Sequence, residues 1–187
     1  LVQSIDLHTL YPNNTCPVYT TTSAISPNGE LLAISSYSYE RSCSSANNST
    51  LALWNTQQGT RRITLLRGQA VESWSYPGPP QEPETESTRI VGDVANAIAF
   101  TADGHQVAAG LSNGTIQLWT TDQGELVRTF RGHSYAVRAI AMSPDGQTLV
   151  SASADQTMKL WNLQTGELLR TIPMNGSDGI VLSLHIS

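Results

Sequence analysis

Tryptophan recurs on a fixed ruler in this chain. Trp119 precedes Trp161 by 42 residues, and each is followed five positions later by a glycine, Gly124 and Gly166. Trp54 with Gly59 repeats the pair a third time. A six-residue turn signal lies upstream of each tryptophan: AISPNG (Ala24 to Gly29), AFTADG (Ala99 to Gly104) and AMSPDG (Ala141 to Gly146). Pro or Ala, then Asn or Asp, then Gly is turn chemistry between two half-buried strands. A unit of this length cannot bury both faces alone. The repeat therefore demands neighbours stacked face to face and argues against one ordinary core.

Within the third unit the pattern gives four strands: a about Val137 to Met142, b about Thr148 to Ser153, c Thr157 to Asn162 and d Glu167 to Ile172. Strand c of units two and three, TIQLW and TMKLW, alternates as expected of a sheet packed on both sides. Almost no window keeps a 3.6-residue apolar stripe without a Gly or Pro break, so the fold class expected is all-β.

The clearest copy is RGHSYAVRAIAMSPDGQTLVSASADQTMKLWNLQTGELLRTI, from Arg131 to Ile172. Gly132-His133, Ser143-Pro144-Asp145-Gly146, Asp155 and Trp161-Asn162 follow one another at a spacing that resembles one WD-repeat unit, a four-stranded blade of a β-propeller. The resemblance implies blade one at 18–68, an inserted loop at 69–93, blade two at 94–132 and blade three at 133–174. Leu1 to Ile5 matches Leu126 to Phe130, so 1–8 is expected to be a d strand that closes a ring. Ile180 to Ser187 matches the strand beginning at Val137, so 179–187 is expected to open blade four. By resemblance the chain is part of a seven-bladed ring, with the remainder supplied by further chain or another subunit.

A WD-repeat blade is commonly braced by His, Ser or Thr, Asp and Trp. Unit three matches with His133, Ser151, Asp155 and Trp161. A buried indole N–H needs an acceptor, a hydroxyl supplies it, and a carboxylate fixes the imidazole tautomer. His, Ser and Asp together also evoke a catalytic triad. The structural role is preferred, because Ser151 points into a strand pair rather than from a strained elbow. In unit two Val91, Ala109 and Asn113 replace His, Ser and Asp. Blade two is therefore expected to rely on apolar packing, with the Asn113-Gly114 turn holding its corner alone. In unit one Cys16 takes the histidine position, and a longer loop bearing Cys43 replaces the aspartate corner. Both corners lie at the same end of a propeller blade, so a Cys16–Cys43 disulfide is expected in place of the His–Asp bridge. It would close a loop of 26 intervening residues, contribute about 3 kcal/mol and favour an extracytoplasmic compartment, periplasm or thylakoid lumen; free thiols in the cytoplasm are the alternative. His8 is close in sequence, but three ligands without a fourth do not make a metal site.

The spacing from Trp54 to Trp119 is 65, an excess of 23 that falls at residues 69–93. Pro77, Pro79, Pro80 and Pro83 favour extended backbone there and oppose sheet or helix. Trp74 and Tyr76 lie outside any expected strand register, and Glu82, Glu84 and Glu86 add charge without the scaffold a metal site needs. The segment is either a solvated loop or a partner-binding arm. It leaves from the same end as the Cys43 loop, so that end of blades one and two is the expected docking surface.

Net charge is −5 with a single lysine, Lys159, which argues against a general binder of nucleic acid or anionic membrane. No run is long and apolar enough to span a membrane. Richness in Ser, Thr, Asn and Gln resembles bacterial, especially cyanobacterial, WD-repeat proteins. No nucleotide loop, nucleophile elbow, paired acid or ligand cluster is legible, so neither catalysis nor a cofactor is expected. The resemblance implies a non-catalytic protein–protein interaction scaffold or complex subunit, with a regulatory or sensor propeller of a larger multidomain enzyme as the alternative.

Overall fold

A computed structural model describes residues 18–38, 48–69, 72–75, 86–89 and 93–174. Each copy of the repeat forms one four-stranded antiparallel sheet whose strands pair in chain order. The first comprises β1 (Val18–Ile25), β2 (Leu31–Ser38), β3 (Asn48–Asn55) and β4 (Thr60–Gln69). The insertion contributes β5 (Glu72–Ser75) and β6 (Glu86–Arg89). The second blade is β7 (Ala95–Phe100), β8 (Gln106–Leu111), β9 (Ile116–Thr120) and β10 (Leu126–Phe130). The third is β11 (Val137–Met142), β12 (Thr148–Ser153), β13 (Thr157–Asn162) and β14 (Leu168–Pro173). No helix occurs among the described residues, so the all-β class and its blade architecture hold. The segments 1–8 and 179–187, expected to be single strands, lie outside the described residues.

The blades stack through their faces, β1 beside β7 and β7 beside β11. Between blades one and two lie Ala33, Leu51, Leu53, Val107, Leu111 and Trp119, all at most 2% exposed. Between blades two and three lie Ile116, Leu118, Phe130, Val137, Leu149 and Trp161. Trp119 and Trp161 are thus the pieces that blades two and three offer to the blade before each. Trp161 meets the Phe130 ring edge-on, with centroids 5.8 Å apart, a favoured aromatic geometry. Burial of each large side chain stabilises the stack by roughly 1.5–3 kcal/mol. Gly110 is dictated by the same packing: a Cβ there would sit 2.5 Å from Val137 Cγ1.

Backbone hydrogen bonds sort the connections to two ends. The β7–β8 and β9–β10 turns are tied by Thr121 N–H donating to His105 O at 2.9 Å, and Leu163 N–H donates to Gln147 O at 2.8 Å in blade three. The β8–β9 and β12–β13 corners lie at the opposite end, with the connections that enter each blade.

The insertion departs from expectation. Its flanks pair antiparallel, Glu72 opposite Arg89 and Trp74 opposite Ser87. Trp74 is therefore in strand register, contrary to the sequence reading. The prolines that oppose a sheet fall between the two strands, at 77, 79, 80 and 83, so they leave the pairing segments free to hydrogen-bond. Gln69, expected to begin the loop, is the last residue of β4.

Candidate functional site

At the end where chain enters each blade, blade three carries a continuous side-chain network. Trp161 Nε1–H donates to Ser151 Oγ at 2.8 Å. Ser151 Oγ lies 2.8 Å from His133 Nε2, and His133 Nδ1 lies 2.8 Å from Asp155 Oδ2. Asp155 accepts only, so the imidazole proton sits on Nδ1 and Nε2 accepts the serine O–H. Asp155 also accepts from Ser134 N–H at 3.0 Å, and from Thr157 N–H at 2.9 Å and its Oγ1 at 2.6 Å. Burial pushes His133 below the ordinary imidazole range, against the pull of Asp155. Burial alone would raise Asp155, but hydrogen bonds from Thr157, His133 and Ser134 outweigh it and hold the carboxyl below its usual range.

This geometry opposes nucleophilic catalysis. Ser151 is wholly buried, its oxygen already accepts an indole proton, and the His133 side chain has no exposed surface. A substrate carbonyl has no route to Oγ. Lys159, the single lysine, is 8% exposed and donates to Thr171 Oγ1 at 3.0 Å; its charge also disfavours protonation of His133.

Blade two corrects the expectation that its corner stands alone. Asn113 Nδ2–H donates to Asp93 Oδ1, and Asn113 Oδ1 accepts from Thr115 N–H at 2.9 Å. The same two connections are bridged as in blade three, with the polarity reversed: the acid now lies in the entering segment and the donor in the corner. Asp93 sits two positions beyond Val91, so a position-for-position comparison passes over it. An acid beside a strand, facing an Asn-Gly corner, is the signal it leaves in the sequence. Asp93 O also accepts from Ser49 Oγ of blade one at 3.3 Å.

In blade one Trp54 pairs with Leu32 as Trp161 pairs with Leu149, which puts Ile34 where blade three has Ser151. Trp54 Nε1 is buried without a hydrogen-bond partner, and so is Ser35 Oγ. Blade one therefore keeps the indole and lacks the hydroxyl that would accept its proton. Cys16 and Cys43, as well as His8, Tyr76, Glu82 and Glu84, lie outside the described residues; Glu86 opens β6.

A cleft of about 680 Å³ opens at this end and draws its walls from all three blades. Tyr37, Asn96, Asn113, Tyr135 and Arg138 line it. Tyr37 stacks on Tyr19 with centroids 5.5 Å apart, while Tyr19 and Tyr135 are 47% and 60% exposed. The blade-three network builds one wall: Asp155 holds Ser134 N–H, and Ser153 Oγ donates to Tyr135 O at 2.8 Å. These hydrogen bonds fix the backbone on either side of the exposed Tyr135 ring. Among the described residues no group of three or more His, Cys, Asp or Glu is placed to hold a metal ion.

The WD domain, G-beta repeat family matches residues 87–120 and 124–162, across blades two and three. No curated protein sequence matches the chain. Among solved structures, the chain is similar to the RRP9 WD40 repeats with a TM-score of 0.57 at 20% identity, over 86% of this chain and 39% of that one. It is equally similar to U3-55K, TM-score 0.57 at 20% identity, over 85% of this chain and 40% of that one. The chain spans about two fifths of the length of these structures. As many as 1070 solved chains match, so the likeness identifies architecture rather than activity. The fold is that of WD40 β-propeller blades.

Proposed function

We propose that this chain is a non-catalytic docking module that seats a protein partner at the loop-rich end of blades one and two. The observation that carries the reading is the cleft there: exposed Tyr135, Tyr37 with Tyr19 stacked on it, amides at Asn96 and Asn113, and the cation of Arg138 gather at one concavity drawn from three blades. Tyrosine and arginine are the side chains on which protein interfaces concentrate binding energy. The opposite end has only short turns. Deleting residues 70–92 and, separately, Tyr135→Ala should each weaken capture of the partner, with the blades still folded by circular dichroism. An unchanged partner set in both variants refutes the reading.

The same reading includes a Cys16–Cys43 disulfide and an extracytoplasmic setting. Its support is that blades two and three each bridge the entering segment to the β-corner, by Asp93–Asn113 and His133–Asp155. The two cysteines occupy those places in the sequence of blade one. Mass spectrometry of non-reduced peptides decides it: a linked pair is expected, and two free thiols refute it.

A further inference from the structure

One irregularity, repeated in each blade, furnishes the cleft. The first strand of every blade slips register at a single residue: Thr21 between Thr20 and Thr22, Asn96 between Ala95 and Ala97, and Arg138 between Val137 and Ala139. A bulge leaves its extra residue without a ladder partner and re-aims the side chain. All three bulge residues line the cleft.

Two of the three are engaged between blades. Thr21 Oγ1 donates to Ala95 O at 2.7 Å, and Asn96 Nδ2 donates to Val137 O at 3.3 Å. Each reaches the carbonyl just before the bulge of the next blade. Arg138 is left over: it is exposed, and no hydrogen bond or ion pair takes up its guanidinium among the described residues. It is also the only charged side chain on the described lining. The acids of the neighbouring corners are already bound, Asp93 by Asn113 and Asp155 by His133, Ser134 and Thr157. The cation therefore has no counter-charge in the cleft, and the other large side chains there, Tyr37 and Tyr135, are neutral.

We propose that the partner seated on this cleft presents an acidic peptide segment, with one Asp or Glu carboxylate on Arg138. It rests on the docking role proposed above and adds the chemistry of what docks. A planar guanidinium takes a carboxylate in two parallel hydrogen bonds, while tyrosine rings cover the side chains on either side of the acid. A basic segment would meet like charge. The net charge of −5 disfavours nucleic acid, whose whole backbone is anionic, whereas a single carboxylate needs only the local cation.

The test pans a displayed library of short random peptides over the immobilised chain and over its Arg138→Gln, Arg138→Glu and Tyr135→Ala variants. The wild type should enrich Asp and Glu. Its selected peptides should lose about tenfold in affinity when their acids become amides, and as much against Arg138→Gln, the loss of one charge-assisted pair. Arg138→Glu should enrich Lys and Arg instead. The Arg138 variants should melt with the wild type, because that side chain is exposed and unpartnered. Peptides that need Tyr135 but show no acidic bias, or that bind Arg138→Gln equally well, overturn the proposal and leave docking at the cleft standing. Peptides indifferent to both Tyr135→Ala and Arg138→Glu bind elsewhere and overturn both readings. No enrichment over the bare support, or Arg138-dependent binding of a single-stranded oligonucleotide in place of peptides, overturns the proposal. A dimer of the chain that Arg138→Glu dissociates also overturns it, because the occupant would then be a second copy.

Discussion

Replacing Asp155 by alanine removes the acceptor on which the blade-three corner converges. Its carboxylate takes four hydrogen bonds, from His133 Nδ1, Ser134 N–H, and the N–H and hydroxyl of Thr157. These losses are unequal. Ser134 is exposed, so water replaces its partner at little cost. The His133 side chain is wholly buried, so its Nδ1–H loses an acceptor that water cannot supply, a penalty of about 1–3 kcal/mol. Thr157 Oγ1, 3.3 Å from Nδ1, offers a long substitute and favours the lower half of that range. For a chain of this size that lower half corresponds to a fall in melting temperature of about 2–8 °C. Asp155→Asn retains one acceptor oxygen and should lose less than alanine. Calorimetry of the wild type and both variants checks the ordering, and exchange should rise first around Ser134 and Tyr135. A melting temperature unchanged in Asp155→Ala, or asparagine as damaging as alanine, refutes the reasoning.

Gly110→Ala places a methyl into Val137 and should cost about 1–3 kcal/mol in urea unfolding; adding Val137→Ala should recover part of it, and simple additivity would exclude the clash. Acidification should destabilise the fold in two windows. The His133 pKa is lowered on folding, so the unfolded chain binds more protons just below the ordinary value of about 6.5; that stability is complete above this pH and lost as pH falls. Asp155 is also lowered, and its contribution is present above about 3.9 and lost below it. Urea midpoints against pH check the sign, and His133→Asn should flatten the upper window. Asn113→Ala removes the Asp93 bridge and should raise exchange in the blade-two corner while costing at most about 1 kcal/mol, since both partners reach solvent; unchanged exchange there would leave the bridge without a role.

The blades were legible because the period sets where each sheet must bury side chains. Trp54, Trp119 and Trp161 mark that period, and the turn hexapeptides fix the first hairpin of each unit. The blade-three network was legible for a related reason: four residue types at matched positions satisfy one another's hydrogen bonds. Two features were not. Asp93 bridges to Asn113 from a shifted position, and spacing records position rather than reach. The β5–β6 pairing was hidden because proline content was averaged over the whole insertion, while the prolines occupy its middle. The cleft escaped for a third reason. Thr21, Asn96 and Arg138 belong to three different blades, and only stacking brings them to one concavity.

Docking at the loop-rich end is tested most directly by site-specific photo-crosslinking in the host cell. A photoreactive residue replacing Tyr135 stands in the cleft, whereas one replacing Asp145 stands at the opposite end in a β11–β12 turn. A discrete protein adduct from position 135, with none from position 145, is the result expected. Adducts from position 145 alone, or none from either, would contradict a partner seated on the cleft.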